Sequence, residues 1–140
     1  MIFLDTNVLS ELMLPRPVEA VTAWLNQQAE EDIWTTSISV FEVRYGLALL
    51  DEGRRRRKLE DAFRALLEDD LVGRVAPFDQ TAAEIAGDLA ARRLSSGRSI
   101  GNQDTQIAGI ALARRASIAT RNVRHFQDLG VPILNPWDAA

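Results

Sequence analysis

The chain opens on four apolar residues in a row, Met1-Ile2-Phe3-Leu4, the pattern of a strand buried on both faces of a parallel sheet. Asp5 stops the run, and Thr6 and Asn7 offer capping oxygens for a helix that starts with Val8 and Leu9. Pro15-Arg16-Pro17 breaks that helix, after which Val18, Val21, Trp24 and Leu25 recur at helical spacing. Ile33-Trp34-Thr35-Thr36 follows the polar Glu30-Glu31-Asp32 and reads as a second strand. Ser37 or Ser39 then caps a helix with Val40, Val43, Leu47 and Leu50 on its apolar face, and Gly53 ends it.

The polar run Arg54 to Lys58 leads into a further amphipathic helix carrying Leu59, Ala62, Phe63, Leu66 and Leu67. Val75-Ala76-Pro77-Phe78 reads as a third strand, which Pro77 assigns to a sheet edge. Asp79 caps the helix of Ala82, Ile85, Ala86 and Leu89, and a polar loop, Ser95 to Ser99, follows. The next helix has Ile107, Ala108, Ala111 and Leu112 on a face small enough for close packing. Ile118 to Arg121 and Val131 to Leu134 give a fourth and a fifth strand. Strands alternating with helices predict an α/β fold, a central parallel sheet of about five strands flanked by helices. The 140 residues suit one domain spanning 1–140.

Composition narrows the chemistry. There is no cysteine, so disulfides, thiolate nucleophiles and cysteine-ligated zinc are excluded. His125 is the only histidine, so one chain cannot build a histidine-rich metal site or a two-histidine acid–base pair. The sequence shows neither a basic leader nor an apolar run near the ~20 residues of a membrane span, so a cytoplasmic location is expected and no membrane partner. A net charge of −4 argues against a uniformly basic nucleic-acid binder. It leaves room for a nuclease whose carboxylates hold divalent cations.

Three acids share one relation to the predicted elements. Asp5 ends the first strand, Glu42 lies early in a helix, and Asp104 begins another. Open α/β sheets bind ligands at the carboxyl ends of their strands, where such residues can converge. Crowded carboxylates raise one another's pKa and call for a cation, and hard ions such as Mg²⁺ or Mn²⁺ prefer oxygen ligands. A metal there suits phosphodiester hydrolysis. Spacing alone does not establish convergence, and Asp5 as a simple helix cap stays open.

The segments Leu4 to Glu11, Ser39 to Gly46, Ile100 to Ala108, Ala119 to Asn122 and Asn135-Pro136-Trp137 together resemble PIN-domain ribonucleases, the VapC-type toxins of bacterial toxin–antitoxin pairs, nearest the FitB branch. The five occur in family order across nearly the whole chain. The resemblance implies an Mg²⁺- or Mn²⁺-dependent endoribonuclease acting on RNA, with metal-binding acids at Asp5, Glu42 and Asp104. It also implies a homodimer and a cognate antitoxin of the VapB or FitA kind, in a larger hetero-oligomer that meets DNA only through the antitoxin. The family often has a fourth acid where this chain has Asn122, which becomes a further candidate metal ligand. Thr6 and Thr120 match positions where a hydroxyl lines the site.

Other features have plainer readings beside their functional ones. Arg44 and Tyr45 follow Glu42 on one helix, where either could orient a carboxylate or substrate. Glu11 reads as a solvated glutamate, Asp79 as a cap and Asp88 as an exposed face. Arg54 to Lys58 suits RNA phosphates, an acidic part of the antitoxin, or a solvated helix start, although five cations there oppose the macrodipole. His125 reads as solvated or packed, and Trp24, Trp34 and Trp137 as core or interface residues. Asn122 also motivates a non-catalytic PIN-like RNA-binding or regulatory module. A small phosphatase or 5′-nuclease is a third class, disfavoured as an aspartyl-nucleophile phosphatase because no second aspartate follows two residues after Asp5.

Overall fold

A computed structural model describes residues 1–98 and 101–138. Strands β1 (Ile2–Leu4), β2 (Ile33–Thr36), β3 (Val75–Ala76), β4 (Ser117–Ala119) and β5 (Ile133–Leu134) form one sheet in the order β3-β2-β1-β4-β5. Every neighbouring pair is parallel. The helices are α1 (Thr6–Leu12), α2 (Glu19–Asn26), α3 (Ser37–Leu49), α4 (Arg54–Ala65), α5 (Gln80–Ser95) and α6 (Gln103–Ala113). The expected parallel α/β architecture is therefore present, with β3 at an edge and ending just before Pro77, two residues short of the expected strand.

Alternation along the strands divides the interior in two. Phe3 and Ile118 face a core with Leu89, Ile107, Ile110 and Phe126, while Leu4, Ile33 and Ala119 face Val8, Leu9, Val21, Val43, Leu47 and Phe63. One residue of register slip would exchange these sets, so the pattern pins the sheet. Phe3 is fully buried, and truncation to alanine would cost about 3–5 kcal/mol.

Helices α5 and α6 approach closely because small residues meet. A Cβ on Gly109 would lie 2.5 Å from the Ala82 carbonyl oxygen and 2.9 Å from Ala86 Cβ. The small face predicted for α6 thus serves a neighbouring helix as well as the sheet.

The helix boundaries correct several sequence expectations. Asp5 itself caps α1, in extended backbone (φ −73°, ψ 165°) with its carboxylate accepting from the Thr6 amide. Helix α1 accordingly begins before Val8, and Thr6 and Asn7 are freed for other bonds. Thr36 rather than Ser37 or Ser39 caps α3, its Oγ1 accepting from the Ser39 amide at 3.1 Å. Ser37 Oγ instead accepts from the Phe78 amide at 3.0 Å. Helix α3 stops at Leu49, and Gly53 precedes α4. The apolar stripe of α4 runs on into a π-helical turn, Leu66–Asp70. Asp79 caps α5 as expected, accepting from the Ala82 amide. Helix α5 reaches Ser95, one residue into the predicted loop. Ser99, at the end of that loop, and Ile100, which opens the third motif, lie outside the described residues.

Candidate active site

Strand β1 is central, with β2 on one side and β4 on the other. The chain builds outward from β1 through β2 to β3 and then crosses to β4, so its direction reverses between β1 and β4. Open α/β sheets bind ligands at such a crevice. Asp5 lies there, its amide bonded to the Ala119 carbonyl at 2.9 Å.

The Asp5 carboxylate is buried and held on both oxygens. Oδ1 accepts from the Thr6 amide at 2.8 Å; Oδ2 accepts from Thr120 Oγ1 at 2.8 Å and from Asn7 Nδ2 at 3.3 Å. Asn7 also donates to Thr120 Oγ1 at 3.1 Å, and its Oδ1 accepts from the Arg121 amide at 3.1 Å. The β1–α1 and β4 turns are thereby stitched together by side chains. Asp5 is both a helix cap and the floor of a cleft, so its two sequence readings coexist.

That cleft, about 660 Å³, is lined by Asp5, Glu42, Asp104, Glu11, Asn122 and His125 among others. Burial pushes the Asp5 carboxyl above the usual aspartate range, against the bonds from Thr120 and Thr6. Glu42 rises through burial, opposed by the Thr6 hydroxyl, which donates to its Oε1 at 2.8 Å, and aided by the charges of Asp5 and Asp104. Asp104 also rises through burial; His125 and Arg93 oppose this, and Asp5 adds to it. Three acids from distant segments thus face one another electrostatically, as a cation site requires.

Arg44 is turned elsewhere: its guanidinium pairs with Glu60 of α4 at 2.9 Å and does not reach the cleft. Its spacing from Glu42 on α3 puts it on a different side of the helix. Thr6 lines the cleft, Thr120 lies fully buried beneath it, and Asn122 sits at its wall with its amide on Thr120 Oγ1 at 3.0 Å. Glu11, expected to be solvated, is half-buried, lining the cleft while accepting from the Val18 amide at 3.1 Å. Trp24 is core, and Trp34 carries Arg114 over its ring at 5.8 Å. Trp137 lies against the second core and lines the cleft, with Arg121 over its ring at 5.2 Å.

Sequence reasoning missed Arg93 and Asp128 and understated His125. Arg93 is only 3% exposed; its guanidinium grips Asp128 at 3.1 and 3.0 Å and donates to the His125 carbonyl. His125 Nδ1 lies 3.5 Å from Asp104 Oδ2. A signal was present: Arg93 continues the buried stripe of Ala86 and Leu89, where an arginine is out of place unless paired.

The donor set fits a hard divalent ion in kind. Among the described residues, however, no three acid or histidine side chains are already drawn together as a chelating group. Each acid has another partner: Thr120 and Thr6 for Asp5, Thr6 for Glu42, His125 for Asp104. Mg²⁺ needs no full protein cage, since it keeps several waters and uses one or two carboxylates.

The PIN-domain family profile matches residues 2–131. The chain belongs to the PIN-domain family. The VapC ribonuclease Y4jK of Sinorhizobium fredii is 41% identical to this PIN domain over 140 residues, all of both chains. Toxin FitB of Neisseria gonorrhoeae is 36% identical, covering 98% of this chain and 99% of its own. Among solved structures, that of FitAB bound to an IR36 DNA fragment superposes on it with a TM-score of 0.86 and 36% identity, across 98% of this chain and 96% of that one. Among the described residues, no helix is long and apolar enough to cross a membrane.

Proposed function

We propose that this PIN domain is the toxin of a type II toxin–antitoxin pair, an endoribonuclease that uses Mg²⁺ or Mn²⁺ held by Asp5, Glu42 and Asp104. The observation that carries this reading is the meeting of those three acids, each with a raised pKa, in one open cleft at the sheet's switch point. The names of the 41% and 36% identical relatives, a ribonuclease and a toxin, support it. A bound divalent ion would supply Lewis acidity toward the phosphate and lower the pKa of the attacking water.

The chain's own residues supply the rest. Thr120 and the Thr6 amide fix Asp5, the Thr6 hydroxyl orients Glu42, and Asn122 offers a neutral amide oxygen. Arg121 stands at the rim beside Trp137. A second groove, lined by Arg54, Arg55 and Lys58 with Leu12, Met13 and Leu59, meets the cleft at Leu14. Its cations suit RNA phosphates or an acidic antitoxin segment. Arg56 and Arg57 of that basic run lie away from this groove, Arg56 turned inward to the Leu50 carbonyl and Glu60.

The antitoxin would inhibit by presenting an arginine to the acidic cleft, where a guanidinium pairs bidentately with carboxylates and excludes a cation. The solved structure of FitAB bound to a DNA fragment supports a larger assembly of toxin and antitoxin; in it this chain would meet DNA only through the antitoxin. A homodimer in the cytoplasm completes the reading.

Asn122 favours a second reading, a non-catalytic RNA-binding or regulatory module. The test is cleavage of labelled RNA by purified protein with Mg²⁺ or Mn²⁺, with and without EDTA, for wild type and Asp5→Asn. Cleavage that survives EDTA, or an Asp5→Asn variant as active as wild type, overturns the first reading. Metal-independent RNA binding without cleavage establishes the second.

A further inference from the structure

The Arg93 guanidinium is buried between two acids. On one side Nε and Nη2 meet both Asp128 oxygens, and Nη2 also serves the His125 carbonyl. On the other side Nη1 is buried without a hydrogen-bond partner among the described residues, and lies 4.0 Å from Asp104 Oδ2. A buried N–H with no partner carries the full cost of its lost hydration. The group within reach that can relieve it is Asp104, by a shift of about one ångström to ordinary bonding distance.

We infer that Arg93 is a positioning residue, a resident counter-cation that holds Asp104 away from Asp5 and Glu42 until a divalent ion draws it across. Asp128 sets how strongly Arg93 does this, because it competes with Asp104 for the same guanidinium. Arg98, 2.9 Å from Asp128 Oδ1, supports Asp128 in turn. The arrangement accounts for the lack of a preassembled three-acid chelate among the described residues. The inference rests on the metal-binding reading of the cleft.

The test is Mn²⁺ binding alone, by isothermal titration calorimetry, on folded protein held below the melting point of every variant. Arg93→Gln removes the competing charge but keeps a side chain able to bond Asp128, so Mn²⁺ should bind about tenfold more tightly, a Coulomb effect discounted for solvent. Asp128→Asn releases Arg93 toward Asp104, so Mn²⁺ should bind several-fold more weakly. Arg92→Gln, an exposed cation on the same helix with no ion pair among the described residues, should change affinity less than about twofold and reports any effect of bulk charge. A merely structural Arg93–Asp128 clamp would weaken binding in both of the first two variants. That result, or an unchanged affinity, overturns the inference. If Arg93→Gln does not fold, crystal structures of the wild type with and without Mn²⁺ decide: Asp104 Oδ2 should move away from Arg93 Nη1 when the ion binds, and an Asp104 that stays in place with Mn²⁺ bound overturns the inference. Wild-type protein that binds no Mn²⁺ removes the metal-binding reading and this inference with it, a separate result from wild type that binds while the variants fail to diverge.

Discussion

Thr120 donates its hydroxyl to Asp5 Oδ2 at 2.8 Å, joining residues 115 positions apart. Thr120 Oγ1 itself accepts from Asn7 Nδ2 and from the Asn122 amide. Thr120→Val should therefore destabilise the fold by about 1–3 kcal/mol, the cost of buried polar groups left unpaired. Thr120 is also the largest influence holding the Asp5 pKa down against burial. Its loss should shift the acidic limb of the cleavage profile to higher pH, while Thr120→Ser restores both. Melting curves and a pH–rate profile check the pair of effects.

Asp5→Asn, Glu42→Gln and Asp104→Asn should each abolish most cleavage yet leave the metal-free protein as stable as wild type or more so. All three carboxyls have pKa values above their ordinary 3.8 or 4.5 in the fold. A group with a raised pKa binds its proton more tightly when folded. Its stabilising contribution is full below the unfolded value and is lost as pH rises through the folded one. EDTA-treated wild type should thus lose stability as pH climbs above about 4, and each variant should lose less. A large drop in melting temperature in all three variants would assign these acids structural roles instead.

Asn122→Asp should lower the Mg²⁺ or Mn²⁺ concentration needed for half-maximal cleavage and slightly lower the melting temperature of the metal-free protein. Both signs follow from one added charge in a shared acidic cleft. Superimposable metal titrations for the two proteins would put Asn122 outside the metal shell.

Two glycine substitutions should move stability in opposite directions. Gly109→Ala forces a Cβ to 2.5 Å from the Ala82 carbonyl and should cost about 1–3 kcal/mol as α5 and α6 separate. Gly87, exposed on α5, has nothing within 4 Å of an added Cβ, so Gly87→Ala should gain roughly 0.5–1 kcal/mol of helix propensity. Denaturant titrations of both variants suffice.

Most of the sheet was legible because its strands are short apolar runs bounded by polar residues, as at Met1 to Leu4 and Ile33 to Thr36. Asp5 and Asp104 stand where an apolar pattern ends or begins, whereas Glu42 lies inside one, between Val40 and Val43, and is singled out by its motif. What sequence could not supply was pairing across long separations. That Thr36, a strand residue, would cap α3 depends on the angle at which the chain leaves the sheet. Arg44 is four residues before no acid of its own helix; its partner Glu60 comes from α4. Arg93 and Asp128 are 35 residues apart, and only the packing of α5 beside the β4–β5 connection makes them neighbours.

The position of β1 between β2 and β4 has a consequence for synthesis. β1, β2 and β3 can pair once residue 76 has emerged, but the other edge of β1 stays open until β4, residues 117–119. At roughly 5–20 residues per second that is an interval of several seconds. During it the nascent chain exposes an apolar strand edge able to recruit another strand. Asp5 meanwhile waits for the Thr120 hydroxyl, so the cleft is not built until about six-sevenths of the chain has been made.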